Sequence, residues 1–133
     1  MIRRVAREIV LQSMFQIDVS GSEMEQALTA AMAEHDEKEA ARAAEYAKSV
    51  LQGIVDNVEA IDLKIGEYAI DWTVDRMSTA DRNILRTAVY EIFFAEEKIA
   101  PGVAINEAVE VAKLYGSDES PRFINGILGK MVR

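Results

Sequence analysis

Three short segments of this 133-residue chain carry side chains suited to gripping an anion or a nucleobase. Arg3, Arg4 and Arg7 fall on neighbouring helical turns, close enough to contact several phosphates. Asp118-Glu119-Ser120-Pro121-Arg122-Phe123 joins a helix N-terminus, whose free N–H groups suit an anion, to an arginine and an aromatic ring. The same segment also reads as an ordinary capped helix with Phe123 in the core. Trp72-Thr73-Val74-Asp75-Arg76 is the third candidate, a binding surface or else a turn anchored by packing of its Trp.

Other chemistry is scarce. There is no Cys, which excludes disulfides, thiolate nucleophiles and Cys-based metal sites. The single His, His35, sits in Glu34-His35-Asp36-Glu37; a lone His among acids in a loop reads as polar surface, so no metal is expected. No glycine-rich phosphate loop occurs, the carboxylates are scattered at surface spacing, and no nucleophile, base and orienting group fall together. The expectation is a protein that is not an enzyme and has no cofactor. The apolar runs are far shorter than a membrane span, and Arg3 and Arg4 are not followed by the apolar stretch of a signal peptide. A cytoplasmic address without membrane attachment is expected.

The net charge of −8 is unevenly spread. Residues 1–17 carry Arg3, Arg4 and Arg7 against Glu8, a net of +2. Residues 18–71 hold thirteen acids and four bases, a net of −9. Residues 113–133 return to +2, with Lys113, Arg122, Lys130 and Arg133 against Asp118 and Glu119. If the two basic ends met in space they would form one positive patch on an acidic molecule.

These side chains must be positioned by helices. The chain has only two Pro, and neither Pro nor Gly occurs from Ser22 to Gln52 or from Glu67 to Ala100. Ile2, Val5, Ala6, Ile9, Val10, Ser13, Met14 and Ile17 form one stripe, with Arg3 and Arg7 on another face, and Gly21 closes the segment. Ser22-Glu23-Met24-Glu25 has capping-box form before a short helix. A long helix is predicted over Glu39 to Ala69, with close packing or a break at Gly53 or Gly66. Ser78 is the predicted N-cap of a helix through Phe93, with Asp81 three residues on. A turn at 99–102 precedes a helix from Val103 to Tyr115, stopped by Gly116 as a C′ residue. Ser120 and Pro121 supply N-cap and N1 of the last helix. The prediction is an all-α single domain over 1–133 with six or seven helices.

At this point the residues resemble a known family. Arg3-Arg4-Val5-Ala6-Arg7-Glu8, Asp81-Arg82-Asn83-Ile84-Leu85-Arg86, Ala104-Ile105-Asn106-Glu107-Ala108-Val109 and Ser120 with Phe123-Ile124-Asn125-Gly126-Ile127-Leu128 are similar to the NusB family of bacterial transcription antitermination factors. The resemblance covers nearly the whole chain and is weakest from about Gly21 to Ala44. It implies two packed three-helix bundles. It also implies pairing with NusE, a small-subunit ribosomal protein, binding of single-stranded boxA RNA, and a place in the antitermination complex of RNA polymerase, notably on ribosomal RNA operons. Arg3, Arg4 and Arg7 match the arginine-rich first helix that contacts RNA. Lys113, Glu119, Ser120, Arg122 and Phe123 match a second RNA surface, with Glu119 standing where the family often has Asp. Asp75, Arg76, Asp81 and Arg86 resemble the region that meets NusE.

Two other readings are a self-associating homodimer and a NusB-like module of an RNA methyltransferase system. The missing Cys and the chain's end at Arg133 favour the free-standing factor. A net charge of −8 gives no bulk attraction for RNA, so the chain alone is expected to bind weakly and the heterodimer more tightly.

Overall fold

The structure, a computed structural model, describes residues 2–133 without the Ile2 side chain, so the place of Ile2 on the first apolar stripe lies outside the described residues. Six α-helices follow in order: α1 (Ile2–Ser20), α2 (Met24–Met32), α3 (Glu37–Tyr68), α4 (Thr79–Val89), α5 (Pro101–Tyr115) and α6 (Ser120–Met131). A 3-10 turn at Val74–Arg76 precedes α4, and a π-helical turn at Tyr90–Phe94 extends it. No strand occurs among the described residues. The chain forms two compact units, residues 1–52 and 53–133.

In the first unit α1 buries Ala6, Ile9, Val10, Ser13 and Met14, and also Leu11, which widens the predicted stripe. Burying an Ile or Leu contributes about 1.5–3 kcal/mol. α2 packs on α1 and buries Ala27, Leu28 and Ala31. Gly21 ends α1 in the left-handed region at φ 68°, with its N–H on the Ile17 carbonyl at 3.1 Å. The predicted capping box is not formed. The N-cap is Glu23, one residue beyond Ser22, and no side chain caps it, because the later start takes the Ser22 hydroxyl out of register. In the following loop His35 Nε2 lies 2.7 Å from Gln12 Oε1, tying the loop to α1. The Asp36 carboxylate then accepts from the Glu39 N–H at 3.2 Å and caps the start of α3.

In the second unit α3 continues through buried Ile54, Ile61 and Ile65. Its break falls at Asn57 (φ −119°, ψ 15°), where the side-chain amide donates to the Gly53 carbonyl at 2.8 Å and competes with the backbone ladder. Gly53 is the close-packed glycine: a Cβ there would overlap the Tyr90 ring, whereas Gly66 faces open space. Burial pushes the Tyr90 phenol above its usual range, and Glu96, Asp56 and Glu91 add to the effect.

Helix α4 is central to this unit. The Ser78 hydroxyl accepts from the Asp81 N–H at 3.1 Å, as the N-cap prediction requires. Every residue from Asn83 to Val89 is buried, and α5 and α6 both pack against the helix. The wide turn is closed by an i→i+5 bond from the Ala95 N–H to the Tyr90 carbonyl at 2.9 Å. Helix α5 starts at Pro101 rather than Val103, since the fixed φ of Pro suits N1 and the missing N–H has no role there. No helix among the described residues is long and apolar enough to cross a membrane.

Candidate nucleic-acid interface

The α5–α6 connection is built around one hydroxyl. Ser120 is buried, its Oγ accepts from the Ser117 N–H at 2.9 Å, and it lies 3.2 Å from Ser117 Oγ. Ser120 was predicted as the N-cap; Glu119 takes that position, with no side-chain cap bond, and Pro121 enters the first turn. Gly116 ends α5 in extended backbone (φ −96°, ψ −173°), so no left-handed conformation demands glycine there. Space does: a Cβ would strike the Ser120 side chain. The Ser120 hydroxyl is engaged inside the turn that presents Glu119 and Arg122, both exposed.

The ring of Phe123, on the first turn of α6, stands edge-to-face with Trp72, centroids 6.4 Å apart and planes at 82°. Trp72 keeps 50% of its surface exposed, which rules out the core-anchor reading of its turn. The two rings help line a cleft of about 740 Å³, to which the 3-10 turn and the start of α4 contribute Arg76 and Asp81, and the N-cap and first turn of α6 contribute Glu119 and Arg122. The second and third candidate segments thus share one cavity. Asp81 Oδ1 is buried with no hydrogen-bond partner.

Lys113 is exposed on α5 and pairs with Glu110 at 2.9 Å, a surface pair of small energetic weight. Asp75 and Arg76 are both exposed on the 3-10 turn. Arg86 is not. Its Nε and Nη2 donate to Asp62 at 2.8 and 2.7 Å, and its Nη1 to Asn83 Oδ1 at 3.0 Å. The guanidinium is thus committed to a fork that ties α4 to α3, at 8% exposure.

In the other unit Arg3 is exposed, its guanidinium 4.5 Å above the centre of the Tyr46 ring, and Arg4 is half-buried. Arg7 departs from the expectation of a shared polar face: it is 6% exposed. It stands three, four and seven residues before buried Val10, Leu11 and Met14, so helical geometry puts it on the apolar stripe. Among the described residues no group of three His or carboxylate side chains is placed to hold a metal ion.

Sequence reasoning offered Trp72 as part of a candidate binding segment but gave no binding role to Met77 or Ser78, which line the cleft with it. The signal for Trp72 was an isolated indole in a polar turn. For the other two there was none, because the cleft is closed by residues far apart in the chain.

The NusB family model matches residues 4–133. The transcription antitermination protein NusB of Pelotomaculum thermopropionicum is 46% identical over 99% of this chain and 90% of its own length. A crystal structure of T. maritima NusB superposes with a TM-score of 0.82 at 37% identity, covering 97% of this chain and 89% of that one. A structure of antitermination factors NusB and NusE in complex with dsRNA gives a TM-score of 0.80 at 26% identity, covering 98% of this chain and 95% of its counterpart.

Proposed function

This chain belongs to the NusB family, and from that premise we propose that it is a transcription antitermination factor that pairs with NusE and binds boxA RNA in nascent transcripts. Its work is binding, in the cytoplasm, with no catalytic step. The observation that carries this reading is the likeness over 98% of the chain to the NusB of a solved NusB–NusE–RNA complex.

Within that reading Arg3 and Arg4 contact phosphates from α1, and Lys113, Glu119, Arg122 and Phe123 meet RNA at the α5–α6 turn. Arg7 and Ser120 position these groups from inside the fold. Asp75, Arg76 and Asp81 belong to the surface that meets NusE, and Arg86 supports it from beneath through Asp62. Arg3 and Arg4 supply attraction that falls with salt, and an aromatic ring supplies a stacking face that does not.

Gel-shift titration of boxA RNA with the chain, with NusE and with both tests the proposal. Weak binding by the chain alone and much tighter binding by the pair are expected, because a molecule at −8 relies on a local patch and a partner's contacts. If the pair shifts boxA RNA no better than either protein alone, the proposal fails.

A further inference from the structure

Helix α1 begins at Ile2 with no acidic residue in its first turn. Arg3 and Arg4 therefore stand at the positive end of the helix dipole, where cations are unfavourable and the turn is prone to fray. What fastens Arg3 comes from another helix. Its guanidinium carbon lies 4.5 Å above the centre of the Tyr46 ring, on the first half of α3 and within the same compact unit. We propose that Tyr46 is a positioning residue for RNA, seating Arg3 so that its guanidinium is held ready for a phosphate. The proposal rests on the RNA-binding reading above.

The argument starts with what a ring does to a cation. Elsewhere in the chain cations are held by carboxylates: Arg86 gives three donors to Asp62 and Asn83, and Lys113 pairs with Glu110. A carboxylate offsets the positive charge and accepts the N–H groups that a phosphate would use. An aromatic face does neither. It attracts the guanidinium through its quadrupole and carries no net charge. Among the described residues Arg3 has no hydrogen bond or ion pair, so its charge and its five donors remain for an anion.

The seat itself is fixed by the fold. Tyr46 is half-buried, three residues after buried Ala43 and four before buried Val50, so its ring stands on the flank of the buried stripe of α3. Arg3 is exposed, which leaves the guanidinium open to a ligand while the ring beneath it is held. A cation over a ring at an exposed site shifts an equilibrium about two- to fivefold. That is the share of the Arg3 contact with RNA that depends on Tyr46.

The test is a double-mutant cycle read in the affinity of the NusE heterodimer for boxA RNA. It compares the parent, Tyr46→Leu, Arg3→Ala and the two together, with Tyr46→Phe as the conservative variant and the melting temperature of each chain alongside. Leu keeps an apolar side chain without a ring face, and Phe keeps the face and loses only the hydroxyl. Tyr46→Leu should weaken RNA binding about two- to fivefold, and Tyr46→Phe should bind as the parent does. Once Arg3 is replaced by Ala, Tyr46→Leu should cost nothing further in RNA affinity. Lost packing cannot produce that pattern, since it acts whether or not Arg3 is present. Equal losses in both backgrounds make Tyr46 a packing residue and overturn the proposal. A loss as large for Phe as for Leu, or no loss for Leu, overturns it too. If Arg3→Ala leaves the affinity unchanged, the seat has no role in binding, and the RNA reading stands on the α5–α6 turn alone. A heterodimer that does not bind boxA RNA removes both readings.

Discussion

At the scale of single residues, the two arginines that leave the surface explain more than those that stay. Arg86 has a fork of donors matched to Asp62 and a third bond to Asn83, and this satisfies it where a Lys would reach only one oxygen. Its side chain is 9% exposed and that of Asp62 is 27% exposed. Arg86→Ala should cost about 2–3 kcal/mol in denaturant unfolding, less than removal of one partner from a fully buried pair, because Asp62 keeps access to water. Arg86→Lys should recover only part of the loss. A cost below about 0.5 kcal/mol for Arg86→Ala would mean that the fork contributes only what an exposed pair does.

At the scale of elements, the glycines of α3 make a matched comparison. Gly66→Ala adds a methyl to open space within a helix and should raise stability by about 0.5–1 kcal/mol. Gly53→Ala drives a Cβ into the Tyr90 ring and should lower it by about 1–3 kcal/mol, measured by thermal melting of both variants. Equal melting temperatures would show that Tyr90 swings clear without cost. The helices themselves were legible because a 3.6-residue apolar period marks a buried stripe whatever it packs against. Three features were not. The reason for glycine at Gly116 is a neighbouring side chain, not a dihedral angle. Arg7 and Arg86 carry charges, which pattern reading assigns to the surface, and only their packing reveals otherwise. The cleft depends on Trp72 and Phe123 coming together, and no local pattern encodes that distance.

For the whole molecule, the charge asymmetry sets how RNA affinity responds to salt. Arg3 and Arg4 lie away from the core, whereas Arg7 is within it. Arg3→Ala with Arg4→Ala should flatten the plot of log K against log salt for the heterodimer by at most about 1.4, since each phosphate contact on a single strand contributes about 0.7. The double variant should melt near the parent temperature, and an unchanged slope would remove α1 from the RNA surface. Arg7→Ala should instead lower the melting temperature. The basic termini were legible as composition; the division of labour among their arginines was not, because burial is set by neighbours in space.

The small turn at 117–120 carries one more consequence. Two serine oxygens and one backbone N–H hold it closed within the chain itself, with Ser120 sealed beneath. Its conformational freedom is therefore surrendered when the protein folds, not when a ligand arrives. Association at this turn has only side chains such as Arg122 left to immobilise, at about 0.5–1.5 kcal/mol each. The backbone is already in place, so the entropy of ordering it does not enter the affinity.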